Sequence, residues 1–376
     1  MHYRPLRNNS VLAALFVAAL IFAFAGRITP IMGAYLALAI VVVAANVRVF
    51  GTASQPERNA AIVLVVALTI MLPISVIRSE TAVLHYVVVL LSLGAGFVLT
   101  RNIEVYLVAS RLTLVASQIT VFAYLAKRGV ANFPLQDMIP DSSANGVTSY
   151  MVLLQANYCI VNHVVTKKSS LVTAILTLAI CIVGFGRGSI LSAAAIVALG
   201  MASMVWLGGR RRALLVVAVL LLSSMGITIW FGEEISNFIT ANTKIGSGLF
   251  DVHRVGMLTE YLEKMDPLSV WTGGSYAGTS IVSEYNSNPH NSFIRAHYIF
   301  GLPYLALMFL LPVYLTHSAH RPSVKIYAAG MWLIVLFRAF TEPVLFPTLF
   351  DFFFFASCFV LSRDPATSLR PVARPC

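Results

Sequence analysis

His290 and Asn291 stand at the end of a polar run, directly ahead of an apolar stretch that opens Ser292-Phe293-Ile294. An imidazole can take the proton of an attacking hydroxyl near neutral pH, and the amide beside it can cap the helix that follows. The positive end of that helix favours the neutral imidazole that a general base requires. The competing reading is a capping or interfacial histidine without chemistry. Arg187 interrupts a nearly continuous apolar stretch from Leu171 to Leu207, where a guanidinium is costly unless it meets water or a partner. Gly184, Gly186 and Gly188 around it leave room for a ligand to approach the backbone, although an arginine snorkelling to the interface would also account for the pattern. Arg254 follows Asp251 at i+3, a spacing that by itself explains a surface pair. Taken together, Arg187 and Arg254 suit a diphosphate, which two guanidiniums can hold while neutralising the charge that grows as it departs.

Other polar side chains cluster near these positions. His297 lies on a helical face similar to that of His290 but deeper, with Arg295 beside it; the two either line a pocket or satisfy each other. Arg338 and Glu342 are at i+4 spacing, most economically a local ion pair. Tyr276 and Tyr285 are of a type that stacks on sugar rings, and also of the type common at membrane interfaces. Cys159, Cys181 and Cys358 fall in apolar stretches and Cys376 ends the sequence, so neither a disulfide framework nor metal-ligand spacing is suggested. No G-x-x-x-x-G-K-[ST] phosphate loop occurs, and the short Arg27-Ile28-Thr29 connection carries no carboxylate. Both absences argue against a nucleotide-fuelled or metal-dependent enzyme.

The elements that must position these residues are membrane helices. Hydrophobic residues make up 58% of the chain and charged residues 11%, with a mean hydropathy of +0.83, which excludes every soluble class. Windows of the length a bilayer requires fall near 10–26, 29–46, 60–77, 82–100, 104–126 and 146–165. Further windows fall near 170–186, 188–208, 213–231, 292–316, 323–341 and 344–362. The expectation is an all-α polytopic bundle of about twelve spans: helices 1–9 over 1–231, one large periplasmic loop over 232–291, helices 10–12 over 292–362, and a tail over 363–376. Within the loop, Asp251 is expected to cap a short amphipathic helix reaching about Met265, with Val255, Leu258, Leu262 and Met265 on one face and Asp266-Pro267 ending it. Gly273-Gly274 and Gly278 then supply a flexible turn, and the Phe352–Phe355 run is lipid-facing or packed aromatic surface.

Lys and Arg of the short connections fall mainly on one side, from Arg4 and Arg7 through Arg101, Lys167-Lys168 and Arg210-Arg211-Arg212 to Arg363, Arg370 and Arg374. The opposite connections hold Arg27, Arg78, Lys127, Arg128, Arg187 and Arg338. The bias predicts cytoplasmic termini and an outward 232–289 segment, and it accounts for the net charge of +11 without nucleic acid. Ala23-Phe24-Ala25 resembles a signal-peptidase site, but the first span runs into the second with almost no linker, so an uncleaved helix is expected.

The order Gly186-Arg187-Gly188, then His253-Arg254 through Pro267-Leu268 and Trp271-Thr272-Gly273-Gly274, then His290-Asn291-Ser292-Phe293-Ile294 with Gly301-Leu302, resembles the bacterial O-antigen ligase and polysaccharide polymerase superfamily, including Wzy-type polymerases. Asn145-Gly146 and Thr341-Glu342 are weaker echoes of the same pattern. The similarity covers about residues 180–345 and departs at Phe185-Gly186, where family members often carry a small hydroxyl residue. It implies a metal-independent inverting transfer, without a cofactor, at the periplasmic face of the bacterial inner membrane. The donor would be an undecaprenyl-diphosphate-linked oligosaccharide and the acceptor a glycan hydroxyl, with a chain-length regulator and a flippase as cellular partners. The implied roles are His290 as base, Arg187 and Arg254 on the diphosphate, and Asn291, Arg295, His297, Arg338, Glu342 and Tyr276 in substrate binding. Polymerisation is the leading expectation. Ligation of the glycan to lipid A core is the nearest alternative, and a twelve-span transporter or lipid-linked oligosaccharide flippase is the alternative from another class.

Overall fold

The computed structural model describes residues 29–130, 133–139, 143–208, 233, 252–319 and 321–363, and every regular element among them is helical. In chain order these are α1 (Thr29–Ala45), a 3-10 turn (Val47–Thr52), α2 (Gln55–Arg78), α3 (Ala82–Leu99), α4 (Ile103–Arg128), α5 (Ala144–Thr166), α6 (Leu171–Val183) and α7 (Arg187–Gly208). After the undescribed stretch come α8 (Val252–Glu263), α9 (Pro267–Thr272), α10 (Ser280–Ser283), α11 (Ser292–His317), α12 (Pro322–Thr341) and α13 (Asp351–Leu361). Among the described residues, six helices are long and apolar enough to cross a membrane, namely α2, α3, α4, α7, α11 and α12. The 24 residues of α2 rise about 36 Å, more than the roughly 30 Å of bilayer hydrocarbon. The protein is therefore a membrane protein, all helical among the described residues. The expected spans at 10–26 and 213–231, most of the 232–251 segment and the tail beyond Arg363 lie outside the described residues.

Helix α5 is the hub. Its side chains are buried almost all round, and Gln155, Asn157, Asn162 and His163 make it too polar to rank with the six. Inside a bundle such groups must find partners, and most do. Asn157 accepts from Tyr106 of α4 (2.9 Å) and from Ser357 of α13 (2.9 Å) while donating to Ser110 (3.2 Å), and Gln155 accepts from Thr177 of α6 (3.2 Å). Around α5 pack α4, α6, α7, α12 and α13; α2 lies on α11, and α3 on α13. Gly96 permits the last approach, because a Cβ there would lie 3.0 Å from the Ala356 backbone nitrogen.

Two departures from the sequence reading concern the last third of the chain. The final span is shorter than 344–362, because α13 begins only at Asp351: Pro343 and Pro347 have no backbone N–H to give a helix, and the Asp351 carboxylate accepts the backbone N–H of Phe346 (2.8 Å) and Thr348 (3.1 Å). Phe352–Phe355 are buried, which agrees with the packed one of the two readings of that run. Helix α11 breaks at Gly301 (φ 71°), where the Trp271 carbonyl approaches so closely that a Cβ would stand 2.3 Å from it. At one end of the bundle the buried Glu57 carboxylate takes Arg101 (2.8 Å), Arg363 (3.3 Å) and Ser362 (2.9 Å), tying together α2, α3 and α13. Arg78, at the other end of α2, donates to the carbonyls of Thr272 and Tyr298, fastening α9 to α11. Gly273 and Gly274 of the expected turn are buried beside these contacts, and Gly278 is exposed.

Candidate functional site

Helices α6 and α7 form a hairpin through Gly184-Phe185-Gly186, with Phe185 buried in a left-handed conformation (φ 58°). A Cβ on Gly184 would meet the Thr148 methyl at 2.2 Å, and one on Gly186 would meet Asn145 Oδ1 at 2.4 Å, so the hairpin presses directly on α5. This contact fixes Arg187 as the first residue of α7. The next residue, Gly188, faces α12: a Cβ there would be 3.0 Å from both Arg338 Nη1 and Thr341 Oγ1. Both glycines therefore make room for polar neighbours.

Asn291 caps α11 as expected, its side-chain oxygen accepting from Phe293 N (2.8 Å) and Ile294 N (3.2 Å). His290 just before it has a left-handed backbone (φ 47°), its N–H donates to Asn288 Oδ1 (3.1 Å), and its ring meets Tyr285 edge-on at 5.6 Å. The buried Nδ1 has no hydrogen-bond partner and stands 3.9 Å from Glu342 Oε2. Arg254 of α8 reaches the other Glu342 oxygen at 2.8 Å and also donates to the Thr341 carbonyl. Arg338 donates to the hydroxyls of Thr341 (2.5 Å) and Ser149 and lies 3.9 Å from Glu342.

These groups share one cavity of about 220 Å3, lined by Arg187, Gly188, Arg254, His290, Asn291, Arg338 and Glu342 together with Asn145, Pro289 and Thr341. Leu191, Val255, Leu258, Phe337 and Phe340 form its apolar wall. Segments far apart in sequence thus bring Arg187, Arg254 and His290 to the same place. Three guanidiniums against one carboxylate leave an excess of two positive charges around the space. Burial alone would raise the Glu342 carboxyl, but His290, Arg338 and Arg254 more than reverse that and hold it at about 2. Glu342 is therefore an anion at any working pH and keeps the cationic groups in register. Among the described residues no three His, Cys, Asp or Glu side chains are grouped to hold a metal ion.

Several expected site residues stand elsewhere. Arg295 donates to the carbonyls of Pro343 and Leu345 and so holds the irregular segment after α12; His297 sits between the Tyr261 hydroxyl and the Val270 carbonyl, each at 2.8 Å. They neither line the cavity nor satisfy each other. The shared-face argument fails because His290 precedes the cap in a non-helical conformation, so helical periodicity does not carry from it to His297. Tyr276 is buried against Tyr298 (3.9 Å between rings), leaving no face for a sugar. Arg338 and Glu342 do approach at i+4, but the shorter pairing of Glu342 is with Arg254. The Arg254–Asp251 pair and the Asp251 cap lie outside the described residues. Helix α8 runs Val252–Glu263, and Asp266 caps α9 through Ser269 N (2.7 Å) rather than ending α8. Of α8, Met257 and Tyr261 are packed, Leu258 packs against them in part while also lining the cavity with Val255, and Leu262 is exposed.

The sequence reading missed Ser149 as a partner of Arg338, and it missed the apolar wall. The available signal was Phe337 and Phe340 flanking Arg338 at the end of an otherwise ordinary span. Comparison with protein families, curated proteins and solved structures finds no match for this chain.

Proposed function

We propose that the protein is a bacterial surface-polysaccharide polymerase of the inner membrane, transferring glycan from an undecaprenyl-diphosphate-linked donor to an acceptor sugar hydroxyl on the periplasmic face. The observation that carries this reading is the cavity itself, with Arg187, Arg254 and His290 around one space and a surplus of two positive charges. A lipid-linked sugar diphosphate carries two negative charges, which that surplus neutralises. The mixed lining suits such a donor as well, since the apolar wall of Leu191, Phe337 and Phe340 can lie against its lipid part.

In the proposed reaction the acceptor oxygen attacks the anomeric carbon, a carbon–oxygen bond forms, and the bond from that carbon to the diphosphate oxygen breaks. The electron pair leaves with the diphosphate, and configuration at the carbon inverts. His290 takes the acceptor proton. Its Nδ1 is turned to Glu342, which leaves Nε2 as the basic nitrogen for the acceptor. Glu342 touches neither substrate in this scheme; it positions His290 and Arg254. Arg187 and Arg254 hold the leaving group, and Arg338 adds positive charge to the same cavity. Twelve spans, cytoplasmic termini and an outward 232–289 segment are part of the proposal, supported by the distribution of Lys and Arg.

The test is the glycan profile of a deletion strain, taking surface polysaccharide and lipid-linked intermediates together. Single repeat units with long chains absent are the expected result. Long chains stranded on the carrier beside unsubstituted lipid A core would replace polymerase by ligase, and untransferred units on the cytoplasmic face would replace both by a transporter.

A further inference from the structure

At the end of the bundle opposite the Arg187 cavity, α5, α7 and α12 enclose a second space of about 100 Å3. It is lined by His163 of α5, Leu199, Ala202 and Trp206 of α7, and Ile326 and Tyr327 of α12. His163 is 2% exposed and stacks on Tyr327 with ring centres 4.1 Å apart, yet neither ring nitrogen has a hydrogen-bond partner. An imidazole buried among apolar helices with its donor and its acceptor both unused is a costly arrangement, and it points to a missing hydrogen-bonding occupant. Ser203 and Ser323 add hydroxyls to the same lining, so the polar groups inside are all uncharged types.

Trp206 and Ile326 on the rim are 57% and 52% exposed, so the space opens outward between α7 and α12, toward the medium that surrounds the spans. An occupant entering there must be largely apolar. Charge then narrows its class. The described segments that converge on this end, 163–170, 199–208, 317–319 and 321–326, contain Lys167, Lys168, Arg321 and Lys325 and no Asp or Glu. Lys167 and Lys168 are exposed, and Arg321 and Lys325 partly so. Basic pockets between spans at a membrane surface recognise anionic headgroups.

We propose that this cavity binds an anionic glycerophospholipid. One acyl chain lies between α7 and α12, the glycerol and ester oxygens meet His163 and the two serines, and the phosphate faces the basic rim. The proposal does not depend on the polymerase reading, because the two cavities share no lining residue.

The experiment measures retention of phosphatidylglycerol and of phosphatidylcholine by the full chain, purified in an uncharged detergent without glycan donor. The variants are Ala202→Trp and the double variant Lys167→Gln, Lys168→Gln. Ala202 is exposed at the cavity mouth, so a larger side chain there blocks entry without disturbing packing. The expected result is at least a tenfold preference of the wild type for phosphatidylglycerol, reduced fivefold or more by Ala202→Trp and more modestly by the lysine pair. Equal retention of the two lipids by the wild type would overturn the proposal. So would a phosphatidylglycerol preference that Ala202→Trp leaves unchanged, since the lipid would then sit elsewhere.

Discussion

Glu342 joins groups from three parts of the chain: Arg254 at 2.8 Å, His290 at 3.9 Å and Arg338 at 3.9 Å. Removing one member of such a buried set leaves the others uncompensated, so Glu342→Gln should lower stability by about 3 kcal/mol, read as a fall in melting temperature of the purified protein. The pH dependence has a fixed sign. Because the folded carboxyl is held at about 2, below its ordinary value, its stabilisation is complete above roughly pH 4.5 and is lost as pH falls toward 2. The wild type should therefore lose melting temperature below about pH 4.5, and Glu342→Gln should flatten that loss; parallel acid profiles for the two proteins would contradict the pairing. His290-Asn291 was legible in sequence because a polar pair at the mouth of a span is a local pattern. The partner of Arg254 was not, since Glu342 lies 88 positions away and only the tertiary fold brings it near. His297 and Tyr276 stand apart from the cavity for a related reason: residue type suggested chemistry, while the fold sets them against Val270, Tyr261 and Tyr298.

Close helix approach builds the site out of glycine at α7. Gly188→Ala would bring a methyl to 3.0 Å from Arg338 Nη1 and Thr341 Oγ1, pushing the Arg338 guanidinium a few tenths of an ångström from its place at the cavity. We expect glycan transfer to fall by tenfold or more with little change in melting temperature, and an unchanged rate would argue that Arg338 has no part in the site. Gly301→Ala is the contrasting case. The positive φ and the Trp271 carbonyl at 2.3 Å make it a folding defect, costing about 2 kcal/mol or more and lowering expression and melting temperature together. Helix positions were largely readable from hydropathy, because α2, α3, α4, α7, α11 and α12 are each long apolar runs. The end of the chain was less so: hydropathy is blind to Pro343 and Pro347, which delay α13 to Asp351, and to the hydrogen bonds that make the intervening turn.

The whole molecule presents two unlike ends, one with the Arg187 and His290 cavity and the other with Glu57, Arg101 and Arg363 at one place and Lys167, Lys168 and His163 at another. In the proposed topology the first end faces outside. Replacing the exposed Ser275 or Lys168 singly by cysteine, with Cys376 changed to serine, gives a direct check, because Cys159, Cys181 and Cys358 are buried. An impermeant thiol reagent should label the position-275 variant in intact spheroplasts and the position-168 variant only after lysis; the reverse pattern would invert the topology and put the cavity in the cytoplasm. The central claim is that Arg187, Arg254 and His290 act together on a lipid-diphosphate glycan. The most direct measurement is the initial rate of chain extension by the purified protein in bilayers supplied with undecaprenyl-diphosphate-linked repeat units, for the wild type and for each single alanine variant. The account predicts extension by the wild type and losses of about 100-fold or more in all three variants, each assayed below its own melting temperature. Wild-type rates in the three variants would contradict it.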